Sequence, residues 1–325
     1  MSEHTAAAAR TRQVVQELVD VGPQQVAVRR LDPAPAPGEG PEPVVLVHGL
    51  GQSSTDWLRM LPALDGRLEP YALDLPGHGA SPPAVHGDYS PSSFATSVIG
   101  LIERQGIGPV HLAGNSLGGL VALMVAARRP DLVRTLTLVS PALPARVPTP
   151  AGLRLMLLAA PQVGERLVAL GARRTPEQRA RDLLAVIVAA PHEVPEEDVA
   201  ALAEELRAQA ELPHAGPAFL ASLRGLVRVH LRRYGRTWAL ARYVSAPTLV
   251  LYGGRDKLVS ARAARRARSL FRSARVEVDP AGGHIPQREH PLLVAEALVR
   301  HAREGSSPQV DTRQGNSGGQ KTGSA

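Results

Sequence analysis

The sequence has no cysteine and very few aromatic residues. The lack of cysteine excludes disulfide bonds, thiolate catalysis and zinc sites with cysteine ligands. Aromatic residues make up only 3% of the chain, so stacking surfaces for the bases of single-stranded nucleic acid are scarce. We therefore expect no nucleic-acid partner.

Long hydrophobic segments are also missing. The longest uncharged apolar run, Leu183–Ala190, falls well short of the roughly 18–20 residues that cross a bilayer. The alanine run Ala6–Ala9 is followed at once by Arg10, which leaves it too short for the core of a signal peptide. These features favour a cytoplasmic protein without a stable membrane anchor.

Lysine is almost absent, whereas arginine is abundant. Lys257 and Lys321 are the only lysines, and the formal net charge is +7. Because alanine, proline and glycine are abundant as well, we interpret the arginine content as a compositional bias of the source genome and not as a binding surface for polyanions or membranes. A series of arginines without an intervening acid is interpreted in the same way, as a solvated helix face. The series comprises Arg224, Arg228, Arg232, Arg233 and Arg236.

The hydrophobic pattern predicts an α/β fold. Hydrophobic residues make up 44% of the 325 residues, which is typical of a globular protein. Strand-like segments alternate with helical ones, and this alternation predicts a parallel sheet with helices on both faces. The segments expected to be strands are 25–31, 43–47, 71–74, 110–113, 133–139, 247–252 and 276–278.

The pattern also divides the chain into four parts. An N-terminal helical extension is expected at residues 1–23, because Val14, Val15, Leu18 and Val19 recur at helical spacing. The α/β core is expected at residues 24–140 and 247–304, interrupted by a helical insertion at 141–246. Residues 305–325, rich in serine and glycine and without periodicity, are expected to be a disordered tail.

One strand leads into a Gly-x-Ser-x-Gly sequence, Gly114-Asn115-Ser116-Leu117-Gly118, and a helical pattern follows. This order is typical of a nucleophile elbow, a sharp turn that pushes one hydroxyl out of the sheet. Such a turn leaves no room for a Cβ atom at Gly114 or Gly118 and forces a strained backbone at the serine. Ser116 is therefore the candidate nucleophile.

A serine hydroxyl needs a base, and the base needs a partner that fixes its tautomer. His284 follows a predicted strand and lies in a glycine turn, while Asp256 follows the strong strand at 247–252. Each residue has a simpler interpretation, since Asp256 could form a turn or cap a helix and His284 could be an ordinary loop histidine. The order serine, aspartate, histidine at three strand ends nevertheless favours a catalytic triad.

Carbonyl chemistry also needs hydrogen-bond donors for the developing oxyanion. We expect the backbone N–H of Leu117, next to the nucleophile, and that of Leu50, in the turn after an earlier strand, to supply them. His48 is interpreted as a residue that stabilises this turn. Asp74 stands in a proline- and glycine-rich loop and is interpreted as an organiser of that loop.

These motifs resemble the α/β-hydrolase superfamily, in particular its large group with a helical cap. The resemblance covers residues 24–303 and is weak in the insertion. It implies an eight-stranded, mostly parallel sheet, a cap formed by residues 141–246, and hydrolysis without a cofactor or metal. The matching motifs are His48–Gly51, Asp74–Ser81, Gly114–Gly118, Gly254–Asp256 and Gly283–Pro291.

The motifs indicate the machinery and leave several reactions open. Serine at position 116 argues against the epoxide hydrolases and haloalkane dehalogenases of this fold, which need a carboxylate nucleophile. A carboxylesterase-like enzyme is the first hypothesis; carbon–carbon bond hydrolases, thioesterases, lactonases, acyltransferases and cofactor-free haloperoxidase-like enzymes are alternatives. A small-molecule receptor or binding module is the non-enzymatic alternative. The apolar insertion favours an acyl or alkyl ligand, and the sequence predicts no oligomeric state.

Overall fold

The computed structural model describes residues 12–35, 39–145, 147–232 and 234–306. Within these residues, eight strands form one sheet in the order β1-β2-β4-β3-β5-β6-β7-β8. The pairs β1–β2 and β2–β4 are antiparallel, and all other neighbours are parallel. The strands are β1 Gln13–Asp20, β2 Gln25–Asp32, β3 Pro43–Val47, β4 Glu69–Leu73, β5 Val110–Asn115, β6 Val133–Val139, β7 Thr248–Gly253 and β8 Ala274–Asp279. The expected eight-stranded, mostly parallel sheet is confirmed.

Helices connect the parallel strands. Before β6 the chain forms α1 (Leu61–Leu64), α2 (Pro91–Gln105) and α3 (Leu117–Arg128). Between β6 and β7, in what we call the helical segment, it forms α4 (Pro150–Leu158), α5 (Val163–Gly171), α6 (Pro176–Ile187), α7 (Glu196–Ala210), α8 (Ala215–Arg232) and α9 (Tyr234–Ala239). After β7 it forms α10 (Ala263–Leu270), α11 (Pro286–Glu289) and α12 (Pro291–Ser306). None of these helices combines the length and the apolar character needed to cross a bilayer.

The sheet is covered on both faces, so its central strands are apolar throughout. Along β3, Val45 and Val47 join the cluster that contains α2 and α3, whereas Val44 and Leu46 join the opposite cluster with α12. Successive side chains of a strand point to opposite faces, and here both faces are buried. Continuous apolar runs are therefore the sequence signature of these strands.

The predicted N-terminal helix is wrong for residues 13–20, which form β1. Every residue of β1 pairs with β2, and a tight turn at Gly22 connects the two strands. Val15 and Val19 point inward, while Val14 and Leu18 are exposed on the other face. Pairing with β2 turns alternate residues of β1 inward and suits its β-branched valines. This pairing overrides the local helical spacing. Residues 12 and 21–23 are not helical either, and residues 1–11 of that prediction lie outside the described residues.

The C-terminal boundary also differs from the prediction. Helix α12 continues to Ser306, so residues 305 and 306 belong to the helix and not to the expected tail. Burial of Val294, Leu298 and Ala302 along one side of α12 holds this helix on the sheet. The rest of the predicted tail, residues 307–325, lies outside the described residues.

The packing of α2 yields a stability test. Leu101 on α2 is fully buried, whereas Leu292 on α12 is 66% exposed. We expect Leu101→Ala to lower the free energy of unfolding by about 2–5 kcal/mol, because it removes apolar contacts and leaves a cavity. The matched Leu292→Ala change should stay within about 0.5 kcal/mol of the wild type. Urea unfolding measures both, and equal losses would contradict this account of the core.

Candidate active site

Ser116 occupies the turn between β5 and α3. Its backbone has φ 53° and ψ −115°, a positive φ that L-residues rarely adopt. The turn is held by the Ser116 N–H, which donates to the Val139 carbonyl (2.9 Å), and by the Ser116 carbonyl, which accepts from the N–H groups of Ala142 (2.9 Å) and Leu120 (3.1 Å). The surrounding hydrogen bonds thus keep the serine in a strained conformation.

The flanking glycines are required by close backbone packing. A Cβ atom on Gly114 would lie 2.3 Å from the Gly118 carbonyl oxygen. A Cβ atom on Gly118 would lie 2.3 Å from the Val47 carbonyl oxygen and 2.4 Å from that of His48. The first turn of α3 therefore rests directly on the end of β3, at a distance that only glycine permits.

His284 and Asp256 are in direct contact. His284 Nδ1 lies 2.8 Å from Asp256 Oδ2, and both side chains are buried. The other carboxylate oxygen, Oδ1, accepts from the backbone N–H groups of Leu258 (2.7 Å) and Val259 (2.8 Å). Because a carboxylate can only accept, Nδ1 carries the proton and Nε2 retains the lone pair. In this tautomer, Nε2 is the ring nitrogen that can accept a proton.

Close packing of the turns after β7 and β8 brings these two residues together. A Cβ atom on Gly253 would lie 2.0 Å from the Gly283 carbonyl oxygen. The Gly254 N–H donates to the Asp279 carbonyl (2.7 Å), and the Arg255 N–H donates to the Gly282 carbonyl (3.0 Å). Backbone contacts of this kind fix the spacing between the two turns independently of the side chains that they carry.

Asn115 links the serine turn to the histidine turn. Its side-chain Nδ2 donates to the His284 carbonyl (3.0 Å) and to the Val139 carbonyl (3.2 Å). Asn115 is the last residue of β5 and is completely buried. The sequence analysis did not recognise this role, because both carbonyls that Asn115 binds belong to segments distant in the chain. Ser116, Asp256 and His284 follow β5, β7 and β8 and share the carboxyl edge of the sheet.

The structure places the two expected oxyanion donors in adjacent elements. Leu117 is the first residue of α3, where backbone N–H groups have no partner within the helix. Leu50 lies in the turn after β3, the strand next to β5. In that turn, His48 Nδ1 lies 2.7 Å from the Gly49 carbonyl, and His48 Nε2 accepts from the Leu75 N–H at 2.9 Å. Burial lowers the pKa of His48, so it is neutral and acts as a structural link.

Asp74 makes the contacts of a loop organiser. Its carboxylate accepts from the backbone N–H groups of Ser54 (2.6 Å) and Ala80 (2.9 Å), and Arg29 lies 3.3 Å away. Its main-chain carbonyl accepts from the Ser81 hydroxyl at 2.6 Å. These bonds connect the loops after β3 and β4. Among the described residues, no three or more histidine, aspartate or glutamate side chains form a cluster that could hold a metal ion.

Two hydrogen bonds connect the helical segment to the histidine turn, and a third, within that turn, holds Glu289 in place. The His284 N–H donates to the Ile187 carbonyl at the end of α6 (2.8 Å). The Glu289 carboxylate accepts from the Gly283 N–H (3.0 Å) on one side and from the Ala189 N–H (2.8 Å) on the other. The sequence analysis missed this role of Glu289, because the two loops that it joins are far apart in the chain.

A buried acid lies beneath α7, close to the turn that contains Leu50. Asp56 is 1% exposed, and burial raises its pKa to about 7. Arg288 Nη1 lies 3.2 Å from Asp56 Oδ1, and Arg288 Nη2 lies 3.5 Å from Glu205 Oε1 on α7. The arginine thus joins an acid of the α/β core to an acid of the helical segment.

A sequence model of the alpha/beta hydrolase fold matches residues 42–291. A pimeloyl-[acyl-carrier protein] methyl ester esterase from Chromobacterium violaceum is 31% identical over 275 residues, which cover 81% of this chain and 95% of that protein. The match therefore spans both the sheet and the helical segment.

Two further comparisons differ in extent. The dihydrolipoyllysine-residue acetyltransferase component of the acetoin cleaving system of Pseudomonas putida is 43% identical over 106 residues, which cover 32% of this chain. The match spans only 28% of that relative's own length. Among solved structures, a membrane phospholipase A described as a bacterial virulence factor superposes with a TM-score of 0.70 at 26% identity, covering 89% of this chain and 87% of that one.

The packing of α3 on β3 predicts that Gly118 tolerates no side chain. We expect Gly118→Ala to lower the free energy of unfolding by about 2 kcal/mol or more, because its Cβ would overlap two carbonyl oxygens. Gly171→Ala at the end of α5 is the matched control, since nothing lies within 4 Å of a Cβ there. The control should be neutral or stabilising by up to about 1 kcal/mol. Urea unfolding of both variants measures the contrast, and similar midpoints would contradict it.

The raised pKa of Asp56 predicts how stability varies with pH. The folded protein holds this proton more tightly than the unfolded chain, so the contribution of Asp56 to stability is complete below its ordinary pKa of 3.8 and is lost as the pH rises through about 7. Asp56→Asn cannot ionise. Relative to this variant, the wild type should lose on the order of 3 kcal/mol between about pH 5 and pH 8.

Urea unfolding at several pH values measures this difference. Asp88→Asn serves as a control, because Asp88 is exposed and its replacement reports the effect of removing a surface carboxylate. Parallel stability profiles for the wild type and Asp56→Asn would show that the Asp56 proton is not linked to folding.

Proposed function

Because the chain belongs to the alpha/beta hydrolase fold family, we propose that it is a serine hydrolase of carboxylic esters. Ser116 is the nucleophile, His284 is the base, and Asp256 is the carboxylate that orients the base. The observation that carries the proposal is the 2.8 Å contact between His284 and Asp256 at the sheet edge that also presents Ser116. The relative named as a methyl ester esterase supports an ester substrate.

In the first half of the proposed reaction, Ser116 Oγ attacks the carbonyl carbon of the ester. Its proton passes to His284 Nε2 as the new carbon–oxygen bond forms, and the carbonyl oxygen becomes an oxyanion. The backbone N–H groups of Leu117 and Leu50 donate to this oxyanion. The position of Leu117 at the start of α3 adds the positive end of the helix dipole.

In the second half, the tetrahedral intermediate collapses and the bond to the leaving alcohol breaks. His284 Nε2 returns its proton to the alcohol oxygen, and the acyl group stays on Ser116. A water molecule then gives a proton to His284 and attacks the acyl carbon, which releases the carboxylic acid and restores the serine. Asp256 stabilises the imidazolium in both steps, and the N–H groups of Leu258 and Val259 hold it in place.

The helical segment, residues 141–246, is proposed to be the cap that selects the acyl group. Phe219 on α8 lies against Gly51. A Cβ atom added to Gly51 would be 2.9 Å from Phe219 Cδ2. A small cavity of about 10 Å³ beside Gly51 has a mixed lining of four apolar side chains of α6 and α7 and five polar ones, namely Leu183, Ile187, Leu202, Leu206, Gln52, Asp56, Glu205, Gln209 and Arg288. The proposed selection of an acyl or alkyl group therefore rests on Phe219, the apolar side chain that the helical segment places next to the turn with Leu50.

The proposal is tested by replacing Ser116. We expect Ser116→Ala to hydrolyse short p-nitrophenyl esters on the order of 10⁴-fold more slowly than the wild type, because the acyl-enzyme no longer forms. A fluorophosphonate should label the wild type and should leave Ser116→Ala unlabelled. Ser97→Ala, which replaces another buried serine, should keep both properties.

Other outcomes of the same assays would redirect the assignment. Equal ester turnover by the wild type and Ser116→Ala would remove Ser116 from the chemistry. Labelling of Ser116 without ester turnover would move the substrate class toward thioesters, lactones or carbon–carbon bonds, each of which a substrate panel contains. A wild type that is neither labelled nor active would point to a binding module.

A further inference from the structure

The two helices that begin the helical segment present an uncovered apolar face. Leu153 and Leu157 on α4 are one helical turn apart, as are Val163 and Leu167 on α5, and Leu170 follows on the same side. Together with Val147, these side chains are 37–78% exposed. We call this surface the α4–α5 face, and it comprises Val147, Leu153, Leu157, Val163, Leu167 and Leu170.

The fold does not use this face for its own packing. The opposite side of the helix pair rests on α8, where a Cβ atom on Gly164 would lie 3.0 Å from Leu220 Cδ2. Arg224 of α8 also donates to the Ala159 carbonyl (3.0 Å) and pairs with Glu165 (2.7 Å). Burial of one large aliphatic side chain is worth about 1.5–3 kcal/mol. Contiguous exposure of several such side chains is typical of an interaction surface.

The two helices and the turn that follows α5 carry unpaired positive charge. Arg154, Arg166 and Arg173 are exposed, and none of them forms an ion pair with another described residue. Arg154 adjoins Leu153, whereas Arg166 and Arg173 stand three residues from Val163 and Leu170. Glu165 is the only acid in α4 and α5, and Arg224 neutralises it. The face therefore combines leucines with a net positive rim.

We propose that the α4–α5 face docks the protein reversibly on the surface of an anionic lipid bilayer. Amphipathic helices with leucines on one side and arginines beside them lie in the membrane interface, where acyl chains receive the apolar groups and anionic headgroups neutralise the cations. A second copy of the chain fits less well. In a twofold contact the same face meets itself, so the unpaired arginines of both copies would approach each other.

Docking through this face would hold the membrane against the same helical segment that is proposed to cover the active site. Helix α8 supports the helix pair on one side and carries Phe219, which lies beside Gly51, on another. The docking proposal itself does not depend on the esterase activity, because neither the leucines nor the arginines belong to the proposed catalytic machinery.

Vesicle sedimentation tests the charge requirement. The full chain should pellet with phosphatidylcholine vesicles that contain phosphatidylglycerol, more weakly with phosphatidylcholine alone, and less at high salt. The variant Arg154→Gln/Arg166→Gln/Arg173→Gln should bind on the order of 100-fold more weakly, from about fivefold per arginine. The matched control Arg104→Gln/Arg262→Gln/Arg265→Gln removes the same charge from exposed arginines elsewhere and should bind within about twofold of the wild type.

A leucine pair tests the apolar requirement. Leu153→Ser/Leu157→Ser should weaken vesicle binding by at least about tenfold, because two side chains no longer enter the interface. Leu292→Ser/Leu293→Ser is the matched control, since those two leucines of α12 are 66% and 53% exposed. Thermal unfolding verifies that all variants stay folded. Ser116→Ala should bind vesicles like the wild type, which separates docking from catalysis.

Three results would overturn the proposal. The first is no pelleting above the lipid-free control, and the second is an equal loss of binding in the control and test variants. The third is a wild type that does not bind vesicles but forms a dimer in analytical ultracentrifugation, where Leu153→Ser/Leu157→Ser is a monomer. That result would assign the face to a second copy of the chain.

Discussion

The contact of the first turn of α3 with the end of β3 is the constraint on which the rest of the site depends. Since Gly118 lies against the carbonyls of Val47 and His48, α3 begins directly over the sheet. The chain must then reverse sharply between β5 and α3, and Ser116 takes a positive φ. The same contact places the turn with Leu50 beside the start of α3. The absence of a Cβ atom at Gly118 therefore allows the positions of both the proposed nucleophile and its expected oxyanion donors.

The histidine turn is held from two directions, and this arrangement joins the sheet to the helical segment. Asn115 binds the His284 carbonyl from the end of β5, while Ile187 accepts the His284 N–H from α6. The carboxylate of Glu289 spans the remaining gap between Gly283 and Ala189. A displacement of α6 would change hydrogen bonds of the proposed base itself. The part proposed to select the substrate is therefore linked by hydrogen bonds to the part proposed to react with it.

The sequence predicted the features that are encoded locally. The turn around Ser116 is specified by consecutive residues, and Asp256 and His284 follow predicted apolar strands. The misassigned β1 shows the limit of this reasoning, because the spacing of its valines fits a helix until β2 supplies a partner. Asn115 and Glu289 were missed for the same reason. Their function consists of bonds to loops distant in the chain, and no local pattern specifies such bonds.

The structure separates the arginines that are neutralised within the fold from those that are not. Arg12 pairs with Glu69 at 2.7 Å, and Arg129 pairs with Asp131. Much of the positive charge is thus neutralised within the fold, which agrees with the interpretation of the arginine content as a compositional bias. Arg104 is exposed and forms no ion pair with the described residues, which shows that lack of a partner alone distinguishes no surface. Among the residues that the structure describes, the α4–α5 face is where unpaired arginines stand beside a row of exposed leucines. The coincidence of both features, rather than net charge, makes that face a membrane-docking surface in our interpretation.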